Sequence, residues 1–137
     1  ILKFYYGYCF IYYNMNNIFD NKYKVLIIED WLNVLFIISS IIDLDANYKL
    51  KNEYDINVIP SNDLRNEYII ADYINLFVFY VYTLRNYNNL KKLDKEDIEY
   101  QYAYNRYLGS LLIVIGFILE IDYYYKTTPF TKYKTPL

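Results

Sequence analysis

The sequence predicts an all-α fold, a small multi-pass transmembrane bundle of three to four helices. Three observations carry this. The stretch Tyr107 to Tyr125, YLGSLLIVIGFILEIDYYY, holds no charge between Arg106 and Glu120 and is apolar on every face. Two more segments, 25–48 and 68–84, contain charge-free runs from Trp31 to Ile42 and from Tyr73 to Leu84. The chain has only 137 residues, about one domain. Three helices that are apolar all round cannot all occupy the centre of so small a soluble bundle, and large apolar patches are rare on soluble monomers.

The first segment, residues 4–19 (FYYGYCFIYYNMNNIF), is aromatic at its start and rich in Asn at its end. It reads as a fourth helix, although aromatic and β-branched residues also suit a strand. The chain begins at Ile1 rather than Met, which fits either processing or a fragment, so this helix is expected to be incomplete if the true start is missing. The polar turn Asp20-Asn21-Lys22 follows.

The second segment, 25–48, has twelve charge-free residues, roughly 18 Å of helix. Residues 49–67 are polar, with a turn at Pro60 and its followers Ser61, Asn62 and Asp63, and Asp63 is placed to cap the next helix. The third segment is 68–84. Residues 85–106 form the most charged stretch, with Lys91, Lys92, Asp94, Lys95, Glu96, Asp97 and Glu99, and read as a solvated helix or helical turn. The fourth segment is 107–125. Residues 1–127 are thus expected to form a single helical membrane domain, and 128–137 a loosely ordered tail.

The charge-free runs are shorter than the roughly 20 residues of a spanning helix, but admitting a terminal acid at each end extends the spans to about that length. The cost of an acid falls as it nears the interface. Tyr68, Tyr73, Tyr87, Tyr107 and Tyr123 to Tyr125 lie near segment ends, where aromatic rings settle at lipid headgroups. There are 21 tyrosines. The abundance of Asn, Ile, Lys and Tyr fits an AT-rich genome, so a tyrosine-rich composition is not by itself a functional signal. Lys22, Lys24, Arg85, Lys91, Lys92, Lys95 and Arg106 fall on one side. Lys49, Lys51, Arg65, Lys126, Lys132 and Lys134 fall on the other, too even a split to orient the chain.

Composition excludes several classes. The net charge of −2 leaves no basic excess for a phosphate backbone, so no nucleic-acid partner is expected. A single cysteine, Cys9, forms no intrachain disulfide or thiolate cluster and reads as a packing residue. With no His, the commonest general base and metal ligand is missing. No phosphate-cradling loop, zinc spacing or nucleophile elbow occurs. No catalytic, cofactor-binding or metal residues are therefore assigned, no cofactor is expected, and the chain is read as not an enzyme.

Two constellations remain. Ile27-Ile28-Glu29-Asp30-Trp31-Leu32-Asn33 is echoed 42 positions later by Ile69-Ile70-Ala71-Asp72-Tyr73-Ile74-Asn75. Asp and Asn three apart share a helix face. If the two segments pack together, Asp30, Asn33, Asp72 and Asn75 meet inside the bundle as an ion or proton site or as interhelical hydrogen bonds; otherwise the acids sit near helix N-termini, or the echo is chance. Gly109 and Gly116 lie seven apart on one helix face, beside Ser110, where small residues favour helix association in lipid. Asp43, Asp45, Glu120 and Asp122 read as solvated acids at the interface.

The expected protein is an integral membrane protein with the lipid bilayer and other membrane helices as partners. It is a structural or accessory subunit acting through helix packing. The alternatives are a small ion or solute transporter using intramembrane Asp residues, and a soluble helical interaction module.

Overall fold

The structure, a computed structural model, describes residues 21–55 and 62–126. They form three helices: α1 (Lys22–Asp55), α2 (Asn62–Lys91) and α3 (Ile98–Lys126). No strand occurs among the described residues. The segment 4–19, the Pro60 turn and the tail 128–137 lie outside them.

Each helix is longer than the apolar segment that announced it, because polar residues with adequate helix propensity extend both ends. Asn21 starts α1: its Oδ1 accepts the backbone N–H of Tyr23 at 3.1 Å and of Lys24 at 3.3 Å, which satisfies two of the donors a helix start leaves open. Asp63 falls inside the first turn of α2 rather than before it, where its charge still complements the helix dipole. The charged stretch 85–106 divides. α2 runs through Lys91, a tight turn closes with Lys92 N–H on the Asn89 carbonyl and Asp97 N–H on the Asp94 carbonyl, and α3 begins at Ile98.

α2 is the centre of the arrangement. Both α1 and α3 pack against it, and among the described residues no Cα of α1 comes within 8 Å of one in α3. Partner numbers fall along α2 as they rise along α1, from Glu29–Arg85 through Phe36–Phe79 to Lys49–Glu67, so the two are antiparallel. The pairs Tyr87–Tyr107, Phe79–Phe117 and Tyr68–Tyr124 make α2 and α3 antiparallel as well. Phe79 sits at mid-height, edge-on to Phe36 of α1 at 6.1 Å and stacked on Phe117 of α3 at 5.8 Å. Two small apolar clusters flank this level. Leu32, Val78 and Val81 lie on one side, and Ala46, Leu64 and Tyr68 on the other.

Little of the apolar surface is covered by the chain itself. α1 and α3 are long and apolar enough to cross a membrane, and only 11% and 17% of their most apolar stretches are buried. Leu112, Ile113, Ile115, Ile118 and Leu119 on α3 all face outward, Leu119 being 63% exposed. Leu26, Trp31, Ile37, Ile41 and Leu44 do the same on α1. α2 is not among the helices that are apolar enough to span. Four of its polar residues, Asp72, Asn75, Thr83 and Asn88, are instead buried toward its neighbours.

Candidate functional site

The polar residues between the helices fall into two layers, one at each end of the charge-free runs. At the first end Glu29 of α1 pairs with Arg85 of α2, each side chain a little over a quarter exposed. One turn along, the Tyr82 hydroxyl donates to Asn33 Oδ1 at 3.3 Å. On the α3 side Asn86 Nδ2 donates to Ser110 Oγ at 3.2 Å, and the Ser110 hydroxyl donates to the Tyr107 carbonyl at 2.8 Å.

The second layer is deeper. Ser39 of α1 is fully buried; its Oγ lies 2.5 Å from Asn75 Oδ1 and 2.8 Å from the Phe36 carbonyl. One hydroxyl proton serves one acceptor at a time, so Ser39 divides its donation between its own helix and α2. One turn from Asn75, on the same face of α2, is Asp72, 6% exposed. Its Oδ2 is buried with no hydrogen-bond partner. Two further carboxylates act on it electrostatically, Glu120 from α3 and Asp43 from α1, and Glu120 also acts on Asp43. Each of these three acids ends the charge-free run of its own helix, and the antiparallel register stacks those three ends at one level.

This places the sequence-derived candidates. Asp72 and Asn75 lie buried on one face of α2. Asp30 and Asn33 do not join them: both are exposed on α1 at the Arg85 end. The two copies of the echoed motif cannot meet, because antiparallel packing sets similar positions of successive helices at opposite ends. Each copy opens a charge-free run, one at either end of the pair. Among the described residues no helix packs onto Gly109 or Gly116, since a Cβ added at either meets nothing within 4 Å. Their face of α3 is open.

Asp43 and Glu120 are the residues sequence reasoning missed. Taken singly each looked like a solvated interfacial acid. The signal was present in their shared position: Asp43 follows Ile42, Asp72 precedes Tyr73 and Glu120 follows Leu119, so each bounds an apolar run. Reading it required the register between helices. Among the described residues no group of three or more acidic, His or Cys side chains is arranged to hold a metal ion.

Comparison with protein-family models, with curated proteins and with solved structures finds no match.

Proposed function

We propose that this chain is a small integral membrane protein whose three helices all cross the bilayer, and that it works as a structural or accessory subunit by packing against other membrane helices. The observation that carries the reading is the belt of outward-facing apolar side chains together with the aromatic pairs that bound it. Tyr87–Tyr107 and Tyr68–Tyr124 bridge α2 and α3 with ring centroids 5.5 and 5.7 Å apart. Along α2 these levels are about 28 Å apart, at about 1.5 Å per residue. The hydrocarbon core of a bilayer is about 30 Å thick, and tyrosine favours its edges. On α1 the same two levels fall near Ile28 and Asn47, so Trp31 to Leu44 lies within the belt.

α2 belongs in the membrane on this reading although it is the least apolar helix. Its polar groups face α1 and α3, and the strip it leaves outward is Ile70, Tyr73 and Phe77. The packing surface is the open face of α3 at Gly109 and Gly116, where a second backbone can approach closely. The occupant it suits is a membrane helix with small residues of its own.

Two experiments test this. Membranes from cells making the full chain are washed with alkaline carbonate. Retention in the pellet and release only by detergent are expected, and recovery without detergent would establish the soluble interaction module instead. Detergent-solubilised wild type is then compared with Gly109→Leu/Gly116→Leu for co-purifying membrane proteins. The variant should lose them; a wild-type monomer with nothing bound would end the subunit reading.

A further inference from the structure

We infer that Asp72, with Asp43 and Glu120 beside it, is a proton-binding site set at one end of the apolar belt. Asp72 is 94% buried by its 6% exposure, and its Oδ2 has no donor. The neighbouring Asn75 is committed to Ser39. Among the described residues the charged groups that act on Asp72 are acids on both flanking helices, Glu120 on α3 and Asp43 on α1. An ionised carboxylate held there has one oxygen without a hydrogen bond and stands against two like charges, with no counter-charge among the groups of the described residues that act on it. A bound cation would relieve both.

Its size follows from the ligand arrangement. The acids are not placed to wrap a metal ion together. A proton needs only one carboxyl oxygen and, placed on Asp72, removes its repulsion with both Asp43 and Glu120. The site also has an approach. Asp43 is half-buried and Glu120 exposed, so they lead from the surface to the buried Asp72. A proton passing from Glu120 or Asp43 to Asp72 moves between carboxyls and leaves the total charge of the trio unchanged. The total changes only when the trio exchanges a proton with water.

The test uses the purified full-length chain in detergent and a lipophilic carbodiimide, which reacts with protonated, water-shielded carboxyls. Adducts are mapped by peptide mass spectrometry across a pH series. The adduct is expected at Asp72 in clear excess over exposed Asp30 and Asp122, and its rate should fall by roughly tenfold per pH unit once the group ionises. In Asp43→Asn/Glu120→Gln that fall should begin at lower pH, since two like charges opposing ionisation are gone; Asp72 itself stays native, so the comparison does not depend on a variant of the buried residue. No excess at Asp72, a rate indifferent to pH, or a profile unmoved by the double variant would each overturn the inference. The inference does not require the bilayer reading: carbonate extraction reports on that separately, and either result leaves the labelling pattern interpretable.

Discussion

The hydrogen bond between Ser39 and Asn75 is a buried polar link between α1 and α2, and its contribution can be measured by a double-mutant cycle. Ser39 is fully buried and Asn75 nearly so. Ser39→Ala leaves the Asn75 amide buried and short of a partner, at a cost of about 1–3 kcal/mol. Asn75→Leu keeps the volume and leaves Ser39 its bond to the Phe36 carbonyl, so it should cost less. With both replaced, no polar group is stranded, and the double variant should be more stable than Ser39→Ala alone. The coupling energy should be about 0.6 kcal/mol, the average for such bonds between membrane helices, with about 1.7 as a ceiling. The assay is reversible unfolding in mixed micelles with increasing dodecyl sulfate, followed by circular dichroism. Single changes that sum to the double within roughly 0.3 kcal/mol, as independent sites do, would refute the idea that this bond joins the helices.

Four further outcomes follow from other parts of the bundle. Arg85→Met should destabilise the protein by roughly 1–3 kcal/mol in the same assay, between the values for exposed and buried pairs, because Glu29 is left unpaired with about a quarter of its side chain exposed; adding Glu29→Gln should restore much of the loss, and no restoration would show that the pair is not what Arg85 contributes. Trp31, the single tryptophan and 67% exposed, should in vesicles be quenched by lipids brominated high on the acyl chain more than by those brominated near its end, while efficient quenching by aqueous iodide would place it in water instead. Lys49 donates to Asp45 and to Glu67 at 2.6 Å, and those bonds hold its ammonium above the ordinary value of 10.5; the bridge therefore stabilises the α1–α2 end below that pH and is lost as pH rises through the higher folded value, so spin labels at Asn52 and Asn66 should show a narrow distance distribution at neutral pH that broadens at strong alkali, and Lys49→Met should be broad throughout. Gly116→Ala should stabilise the isolated protein by up to about 1 kcal/mol through helix propensity, since the new methyl meets open space, and the same change should weaken association with a partner helix; a loss of stability in the monomer would show that the face is already occupied.

How much of this could be read from the sequence depends on which residues act alone and which act through register. The helices were legible because a charge-free run such as Tyr107 to Leu119 announces itself without reference to anything else. Their lengths were not, since extension through Lys49 to Asp55 or through Arg85 to Lys91 draws on ion pairs and aromatic contacts made across helices, such as Lys49–Glu67 and Tyr87–Tyr107. The same division holds at the site. Asp72 and Asn75 stood out as an Asp and an Asn one turn apart in an apolar setting. Their counterparts Asp30 and Asn33 share that local pattern and still end up exposed, because local pattern does not say which face a neighbour will cover. Ser39, Asp43 and Glu120 have no motif and become partners of α2 only when antiparallel packing brings their levels together.

The distribution of polarity gives the proposal its physical coherence. In a bundle surrounded by water, the helix with most neighbours is the most apolar, and polar groups move outward. Here the order is reversed. Among the described residues α2, packed on two sides, contributes most of the buried polar side chains, while α1 and α3, each packed there on one side, expose Leu, Ile, Phe and Val around their other surfaces. A chain surrounded by hydrocarbon is under the opposite demand: apolar groups gain little by meeting one another, and polar groups gain by meeting across a helix interface away from lipid. Under that demand Ser39–Asn75 and Asn86–Ser110 are where they should be. Asp72 is then the exception that needs a cause, since it lies on the correct face and yet has an oxygen with no donor and acids on both sides. Helix packing alone would have favoured Asn or Ser at that position. A carboxyl there makes physical sense if its ability to gain and lose a proton is what the position requires.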